Sequence, residues 1–375
     1  MAKVSIVKCA GYGDAEQCVR KSLDLLGGIK NYVKAGNRVL LKVNLLGPKP
    51  PSAAMTTHPK IVAAVMRILQ PIDCEIWVGD SSGGRGLTEK SLEVSGIQAV
   101  AERLGGKTLN FDKAGMYELK VPKGRVLKEV YVAKPVMDAD VVISLPKLKT
   151  HALTLYTGAV KNMYGTIPGG KKSQIHGLTG SSVEQFSEAL IDIFSVLPSH
   201  LAIMDGIVGM EGLGPNMGRP KESNVILASQ DFVALDAVAS TMIGFEPALI
   251  PMLRIAQERG LGQIDLKDIE IAGEAIESVK TEYKKPVRIH KGLMFLPGFI
   301  RNIFVETPRL PYVIRDRCTQ CMTCRENCPV DAIKVNDIPV FDYEKCIQCY
   351  CCHEICPESA IGLKKSLLQR SSFRR

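Results

Sequence analysis

Two matching cysteine runs near the C-terminus constrain the fold of this chain more than any other feature. The first run consists of Cys318, Cys321, Cys324 and Cys328, and the second consists of Cys346, Cys349, Cys352 and Cys356. Both runs have the same spacing, and a proline follows the last cysteine of each. Gln320, Ala332 and Ile333 are also matched, by Gln348, Ala360 and Ile361. This self-similarity indicates a duplicated unit. A segment this short needs bound metal to supply the core that its side chains cannot build.

The cysteine spacing resembles that of bacterial two-cluster ferredoxins, in which the fourth cysteine of each run binds the other run's cluster. The resemblance implies a small α+β ferredoxin-like domain over residues 312–363 with two [4Fe–4S] clusters. It assigns one cluster to Cys318, Cys321, Cys324 and Cys356, and the other to Cys346, Cys349, Cys352 and Cys328. Zinc also binds Cys-x-x-Cys pairs, but it needs neither the tripled spacing nor two matching copies. We interpret Cys351 as a bystander thiol next to a ligand.

The length of the chain and its remaining cysteines limit the class of protein. A chain of 375 residues predicts more than one domain, and an apolar fraction of 46% is ordinary for a soluble protein. Cys9, Cys18 and Cys74 show no disulfide pattern. The N-terminus is too polar for a signal peptide, and no apolar run is long enough for a transmembrane segment. We therefore expect a cytoplasmic protein.

The formal net charge of +9 is unevenly distributed. The cysteine-rich segment is acidic, so the positive charge lies upstream of it and in a basic tail over residues 364–375. A basic balance is typical of nucleic-acid binding, but the chain has no helix-turn-helix or RNA-binding signature. We expect no nucleic acid as a partner and favour a small anionic ligand.

Residues 1–275 alternate β-branched runs with helical stretches, which predicts an α/β domain with a mostly parallel sheet and flanking helices. The predicted strands are Val4–Cys9, Arg38–Val43, Cys74–Val78, Ala139–Leu145, His200–Met204, Asn224–Ala228 and Ile269–Ala272. The predicted helices are Lys60–Gln70 (with Thr57 as its cap), Thr88–Leu104, Ser182–Leu197, Phe232–Ile243 and Ala248–Arg259. The interval Lys107–Lys134 is more extended, and we expect added antiparallel strands or a small subdomain there.

Residues 276–311 form a connector rich in proline and apolar residues. We expect it to pack one domain onto the other. The alternative is a membrane-surface helix with Arg288, Lys291 and Arg301 at the lipid head groups. A Pro-Gly break in the middle argues against a long amphipathic helix.

Polar residues gather where the predicted strands end. The candidates for ligand binding are Lys42, Asn44, Asp80, Lys147, Lys161, Asn162, Asp205 and Asp231, and the candidates for catalysis are Lys149, His151 and His176. In open parallel α/β sheets, ligands bind at this edge. Each residue alone has a simpler interpretation, because charged loop residues are commonly solvated. Asp231 is suited to cap a helix, and Asp236 to face solvent. A metal site from the two histidines with Asp205 and Asp231 has no ligand spacing behind it.

The stretch Gly165–Lys172 is close to a phosphate-binding loop, but Lys172 stands where the magnesium-binding Ser or Thr belongs. We see no strong helix after it and reject a nucleotide triphosphatase. The stretch is interpreted as a glycine-rich basic loop that binds an anion. Similarly, Gly11-Tyr12-Gly13 lacks the third glycine of a dinucleotide fingerprint.

The upstream region resembles the domain-of-unknown-function 362 (DUF362) family, whose members are often fused to ferredoxin modules. The resemblance is carried by Lys42-Val43-Asn44, by Lys147 to His151, by Thr157 to Gly165, and by Ser229-Gln230-Asp231 with Leu235-Asp236. It covers most of residues 1–260. It implies a link to iron–sulfur electron transfer but no reaction and no catalytic roles.

Two functions follow as hypotheses. In the first, the protein is an iron–sulfur oxidoreductase that passes low-potential electrons to an anionic substrate or cofactor at the strand-end edge. The lysines would hold the anion, and His151 or His176 would supply a proton. In the second, it is a non-catalytic electron-transfer or assembly partner of another redox protein. Beyond the two clusters, nothing in the sequence indicates a flavin.

Overall fold

The computed structural model describes residues 1–286 and 309–365, and it confirms an α/β architecture built on one large sheet. Upstream of residue 286 the strands are β1 (Ala2–Lys8), β2 (Arg38–Val43), β3 (Glu75–Asp80), β4 (Lys107–Asn110), β5 (Met116–Lys120), β6 (Glu129–Ala133), β7 (Val141–Leu145), β8 (Lys147–His151), β9 (Leu155–Thr157), β10 (Leu201–Leu213), β11 (Met217–Ser229) and β12 (Ile269–Gly273). The order across the sheet is β12-β1-β11-β10-β7-β2-β3-β4, with β8 beside β10 and β9 beside β8. Only the pairs β1–β11, β10–β11 and β8–β9 within this sheet are antiparallel, so it is mixed but mostly parallel.

Helices cover both faces of the sheet. They are α1 (Ala15–Asp24), α2 (Pro59–Leu69), α3 (Thr88–Val94), α4 (Ile97–Arg103), α5 (Lys134–Asp138), α6 (Ala159–Asn162), α7 (Gly169–Thr179), α8 (Val183–Phe194), α9 (Phe232–Met242), α10 (Pro251–Glu258) and α11 (Ile276–Val279). Alternation along β2 explains the two layers, because Val39 and Leu41 pack in the core under α1, α2 and α4, whereas Leu40 packs in the core under α8, α9 and α10. A strand buried on both faces reads as a continuous apolar run.

Helix starts follow local side-chain chemistry. Ser182 caps α8 by accepting from the Gln185 N–H, and Asp231 caps α9 as predicted. The cap of α2 is His58 rather than Thr57. The Thr57 hydroxyl instead donates to the Leu145 carbonyl, so it ties the β2 loop to β7.

The extended interval Lys107–Lys134 is confirmed as strands. β4 joins the sheet parallel to β3, and β5 and β6 form a separate antiparallel hairpin. The predicted helix Thr88–Leu104 is instead two helices, because Gly96 between them has a φ of +73° that breaks the helical path. The helices α1 and α7 were not predicted, although α7 begins within the glycine-rich stretch.

Two predicted strands are the inner parts of much longer ones, and this changes the position of several site candidates. β10 and β11 pair as an antiparallel hairpin through 13 residues each, with a bulge between Gly206 and Val208. Asp205 therefore lies within a strand rather than at a strand end. Lys147 to His151, which we expected to follow a strand as a loop, form β8 themselves because they pair with both β10 and β9.

The C-terminal part is small and internally duplicated. It contains the strands β13 (Arg309–Val313), β14 (Ile333–Val335), β15 (Pro339–Phe341) and β16 (Ile361–Lys365), and the short helices α12 (Thr323–Glu326) and α13 (Cys351–Ile355). β13 pairs with β16, and β14 pairs with β15. Left-handed residues occur at matched positions of the two halves: Gln320 with Gln348, Met322 with Tyr350, and Asp331 with Ser359. The sequence repeat is therefore also a backbone repeat.

Residues 287–308 and 366–375 lie outside the described residues. Most of the expected connector, including the alternative of a membrane-surface helix with Arg288, Lys291 and Arg301, falls there, and so does most of the basic tail. Within the residues that are described, no helix combines the length and the apolar character that crossing a membrane requires.

Candidate functional site

The cysteine set that the ferredoxin resemblance assigns to one cluster surrounds a single small cavity. Cys328 of the first run lines this cavity together with Cys346, Cys349 and Cys352 of the second run. Cys351 lines it as well. Four thiols from both runs thus converge around one space, which fits a crossed ligand set.

The other assigned set is also brought together. Burial, together with the neighbouring Cys356, Cys321 and Cys318 thiols, raises the pKa of the Cys324 thiol to about 12. Cys356 belongs to the second run, so its proximity to Cys324 again shows the crossing. The Cys321 side chain is exposed, which places this set near the protein surface.

Backbone hydrogen bonds to sulfur repeat in the two halves. The Ala332 N–H donates to Cys328 Sγ and the Ala360 N–H donates to Cys356 Sγ, both at 3.2 Å. These are the two crossing cysteines. Within the described part of the chain, no three His, Cys, Asp or Glu side chains converge tightly enough for a single metal ion.

A second cavity, which we call the junction pocket, lies where the cysteine-rich part meets the strand-end edge of the large sheet. It has a volume of about 70 Å³. It is lined by Asn44, Leu45, Leu46, Asp80, Ser81, Gly83, Lys149, Thr157, Lys161, Asn162, Tyr164, Gly165, Lys172, His176, Pro215, Cys351, Glu354 and Ile355. Space of this size accommodates several waters or one small molecule. The wall from the cysteine-rich part is formed by residues of α13.

Hydrogen bonds hold the two parts together beside this pocket. Asn216, at the turn between β10 and β11, donates to the carbonyls of His353 at 3.1 Å and Cys356 at 2.7 Å. Its side-chain oxygen accepts from the Ser359 hydroxyl at 2.9 Å. The Arg85 N–H donates to Asn327 Oδ1 at 3.0 Å. Because Asn216 is buried, these bonds fix the position of α13 against the sheet edge.

Lys149 and Lys172 line the junction pocket with their ammonium groups already bonded. Lys149 Nζ donates to Asn44 Oδ1 at 2.6 Å and to the Met55 carbonyl at 2.8 Å. Lys172 Nζ donates to the Ser81 and Ser82 carbonyls at 2.6 and 2.8 Å. Lys172 therefore ties α7 to the end of β3. The second half of the stretch expected to be an anion-binding loop, residues 169–172, is instead the start of α7, and its buried lysine has an internal role.

Lys161 differs from these two lysines. Its Nζ lies 5.7 Å from the Tyr164 ring centroid and 5.8 Å from that of Phe186. Among the described residues it has no hydrogen bond and no ion pair. Burial lowers the pKa of Lys161, and the facing Glu354 carboxylate only partly opposes this shift. An ammonium over aromatic rings with unused donors is suited to hold an anion.

Two histidines and Glu354 bring unpaired polar atoms to the pocket. His176 stacks on Phe186 at a centroid distance of 4.5 Å, and its Nδ1 atom is buried without a hydrogen-bond partner. His151 Nε2 lies 3.5 Å from Glu354 Oε1, an ion-pair distance but not a hydrogen bond, and both atoms lack a hydrogen-bond partner in the described structure. His151 lies behind Glu354 rather than in the pocket lining. Buried unpaired polar atoms in a native fold call for a ligand or water to satisfy them.

Burial tunes the titration of these groups. It lowers the pKa of His151 and of His176 to about 4, so both rings are neutral at pH 7. Burial, with the positive charges of Lys161 and Lys147, lowers the pKa of Lys149 to about 7, although Asp80 and Glu354 oppose this shift. Lys149 is therefore the predicted catalytic residue whose pKa lies closest to neutral pH.

Two buried ion pairs support the pocket from behind. Lys42 Nζ lies 2.9 Å from Asp80 Oδ1, and Gly165 packs so closely on this pair that a Cβ would collide with both charged groups. Lys147 Nζ lies 2.8 Å from Asp205 Oδ2 and also donates to Tyr12. The charges of Lys42, Lys147 and Asp205 are thus neutralised in buried ion pairs, and these three residues do not line the pocket.

Asp236 is buried, contrary to the solvent-facing interpretation. Its carboxylate accepts from the N–H groups of Ala159 at 2.6 Å and Val160 at 2.9 Å, and from the Tyr156 hydroxyl at 3.0 Å. It therefore caps α6, the helix that carries Lys161. Two motifs far apart in sequence, Thr157 to Gly165 and Leu235-Asp236, meet at this cap.

The structure separates the predicted site residues into two groups. Those that line the pocket are Asn44, Asp80, Lys149, Lys161, Asn162 and His176. Asp231 lies elsewhere, since it accepts from the Val233, Ala234 and Gln263 N–H groups at the start of α9. Sequence reasoning missed Glu354 entirely. No local signal marks it, because its partners come from β8, α6 and α7.

Comparison with known proteins agrees with this two-part organisation. The model of the family described as domain of unknown function (DUF362) matches residues 39–241. The chain belongs to the DUF362 family. The model of the 4Fe-4S binding domain matches twice, at residues 311–334 and 339–362, so the C-terminal part of this DUF362 protein is an iron–sulfur electron-transfer domain.

One curated relative of this DUF362 chain is a thylakoid-associated protein of Synechocystis sp., which is 36% identical over 310 residues and aligns with 80% of this chain and 93% of the relative. Among solved structures, the lactate racemase apoprotein from Thermoanaerobacterium thermosaccharolyticum matches with a TM-score of 0.38 and 10% identity. That alignment covers 65% of this chain and 57% of the racemase. A likeness at this level carries no functional argument.

Proposed function

We propose that this DUF362 protein is an iron–sulfur oxidoreductase that exchanges electrons with a small anionic substrate bound in the junction pocket. The observation that carries the proposal is the position of Cys351. This residue lines both the junction pocket and the cavity surrounded by Cys328, Cys346, Cys349 and Cys352. The two cavities therefore share a wall one residue thick.

The cofactors in this proposal are two [4Fe–4S] clusters. One is held by Cys318, Cys321, Cys324 and Cys356, and the other by Cys328, Cys346, Cys349 and Cys352. When bound, such clusters supply or accept single electrons over a wide range of potential. The repeated N–H···S bonds and the converging thiols support this ligand set.

The side chains of the α/β part bind the substrate and manage its protons. Lys161 offers an ammonium that has no hydrogen-bond partner within residues 1–286 and 309–365, and it stabilises negative charge that develops on the bound molecule. Lys149, with a pKa of about 7, is suited to donate a proton at neutral pH. The neutral ring of His176 offers a hydrogen bond rather than a charge.

Anaerobic reoxidation kinetics test this proposal. The reconstituted protein is reduced with dithionite, and its visible absorbance is followed after mixing with a panel of small organic and inorganic anions. We expect one class of anion to speed reoxidation in a saturable way. Lys149→Met should remove most of this acceleration while the cluster spectrum stays unchanged. Lys171→Met is the control, because it also removes one lysine charge, but Lys171 does not line the pocket and its ammonium lies over the Tyr131 ring instead.

The competing function is a non-catalytic electron carrier. The exposed Cys321 favours it, because a cluster near the surface can exchange electrons with a partner protein. Reoxidation that no anion changes, together with stoichiometric recovery of a redox protein from the cell extract, would establish the carrier function and reject the oxidoreductase.

A further inference from the structure

The junction pocket contains complementary polar groups on opposite walls. The α/β part contributes the Lys161 ammonium, and the iron–sulfur part contributes the Glu354 carboxylate. Both line the same pocket, yet they lie too far apart for an ion pair. A space between a free donor and a free acceptor is suited to a ligand that carries both an acceptor and a donor.

The size of the pocket limits that ligand. A volume of about 70 Å³ corresponds to roughly five to seven water-sized positions. A nucleotide or a flavin is far larger than this space. A ligand of two to four carbon atoms with its oxygens is of the right order.

The charges limit it further. Asp80 is paired with Lys42. The main negative charge left in the lining is therefore Glu354, and it faces the three lysines Lys149, Lys161 and Lys172. Positive charge remains in excess, which favours a ligand with one negative group. Glu354 Oε1 is buried without a hydrogen-bond partner, which disfavours a ligand that presents only acceptor atoms on that side.

We infer that the junction pocket binds a small hydroxycarboxylate, with the carboxylate on Lys161 and the hydroxyl donating to Glu354. This inference rests on the proposed function and names the substrate class of the same pocket. The specificity residue Glu354 comes from α13, between the assigned cluster ligands Cys352 and Cys356. The iron–sulfur part thus selects the ligand as well as binding the clusters.

Isothermal titration calorimetry on the oxidised holoprotein tests the inference without electron transfer. The probes are hydroxyacetate, acetate and sulfate. We expect hydroxyacetate to bind about ten- to a hundredfold more tightly than acetate, because one hydrogen bond to a charged group has this value. Sulfate, which presents only acceptor atoms, should bind more weakly than hydroxyacetate because it cannot donate to Glu354.

Two substitutions separate the contributions of the α/β part and the iron–sulfur part to ligand affinity. Lys161→Met should remove binding of both carboxylates, whereas Lys171→Met should change neither. Glu354→Leu should bring the affinities for hydroxyacetate and acetate within about threefold of each other. The ratio of the two affinities is the readout, so a general loss of affinity does not imitate the effect. Iron content and the cluster spectrum confirm that the Glu354 variant retains its clusters, and Glu354→Gln, which keeps an acceptor oxygen, should retain part of the preference.

Equal affinities for hydroxyacetate and acetate in the unsubstituted protein would overturn the inference, and so would the absence of saturable binding by either. Tight hydroxyacetate binding without substrate-dependent reoxidation would reject the proposed oxidoreductase and leave this binding site established. Reoxidation that only a different class of anion accelerates would support the proposed oxidoreductase and reject a hydroxycarboxylate as its substrate.

Discussion

Replacing Asp236 by alanine should destabilise the protein strongly, because this buried carboxylate satisfies three donors at once. The substitution leaves the backbone N–H groups of Ala159 and Val160 without acceptors in a space closed to water. An unsatisfied buried donor costs about 1–3 kcal/mol, so the two together cost roughly 2–6 kcal/mol. Burial raises the pKa of Asp236 to about 7, which shows that the carboxylate itself is costly to bury. We therefore expect the lower part of that range, about 2–4 kcal/mol.

Asp231→Ala is the matched control on the same helix. Asp231 also accepts three N–H bonds, two at 2.9 Å and one at 3.1 Å, but it is only partly buried, so water can replace it. Loss of an accessible helix cap costs about 1 kcal/mol. Anaerobic urea denaturation followed by far-ultraviolet circular dichroism compares the two variants, with iron content matched beforehand.

The Asp236 variant should also lose affinity for the pocket ligand, because Asp236 positions the helix that carries Lys161. The Asp231 variant should retain it. Equal shifts of the urea midpoint in the two variants would refute the reasoning, since burial is the feature that separates them. An Asp236 variant with normal stability would refute it more directly.

Two further predictions follow from the pocket and the cysteine sets. Burial and the charges of Lys161 and Lys147 lower the pKa of Lys149 to about 7, so its positive charge is present below that pH and is lost above it. Anion affinity should therefore fall as the pH rises through about 7, with proton uptake on binding, and calorimetry in buffers of different ionisation enthalpy measures both; affinity that rises with pH would contradict the role of this lysine. Among the cysteines, Cys352→Ser should lower the iron content from about eight to about four atoms per chain, whereas Cys351→Ser should leave it unchanged. Iron and sulfide analysis of anaerobically reconstituted protein tests this, and equal iron loss in both variants would show that the ligand set is wrong.

The sequence by itself determined the features that depend on local spacing. The two cysteine runs predicted the iron–sulfur domain, and their repeat reappears as matched left-handed residues and N–H···S bonds. Alternating apolar runs and helix caps predicted most strands and helices of the large sheet. The strand β2 has the predicted bounds, Arg38–Val43. These signals are local because a turn, a cap or a metal loop is specified by residues a few positions apart.

Tertiary structure alone decided which polar residues form the pocket. Lys147, Lys149 and Lys161 are all lysines of one motif-rich stretch, yet the first pairs with Asp205, the second bonds to Asn44, and the third has no hydrogen-bond partner among the described residues. Glu354 enters the same pocket from the far end of the chain. The reason is that the free energy of a buried charge depends on the groups folded against it, and those groups come from strands and helices that are distant in sequence.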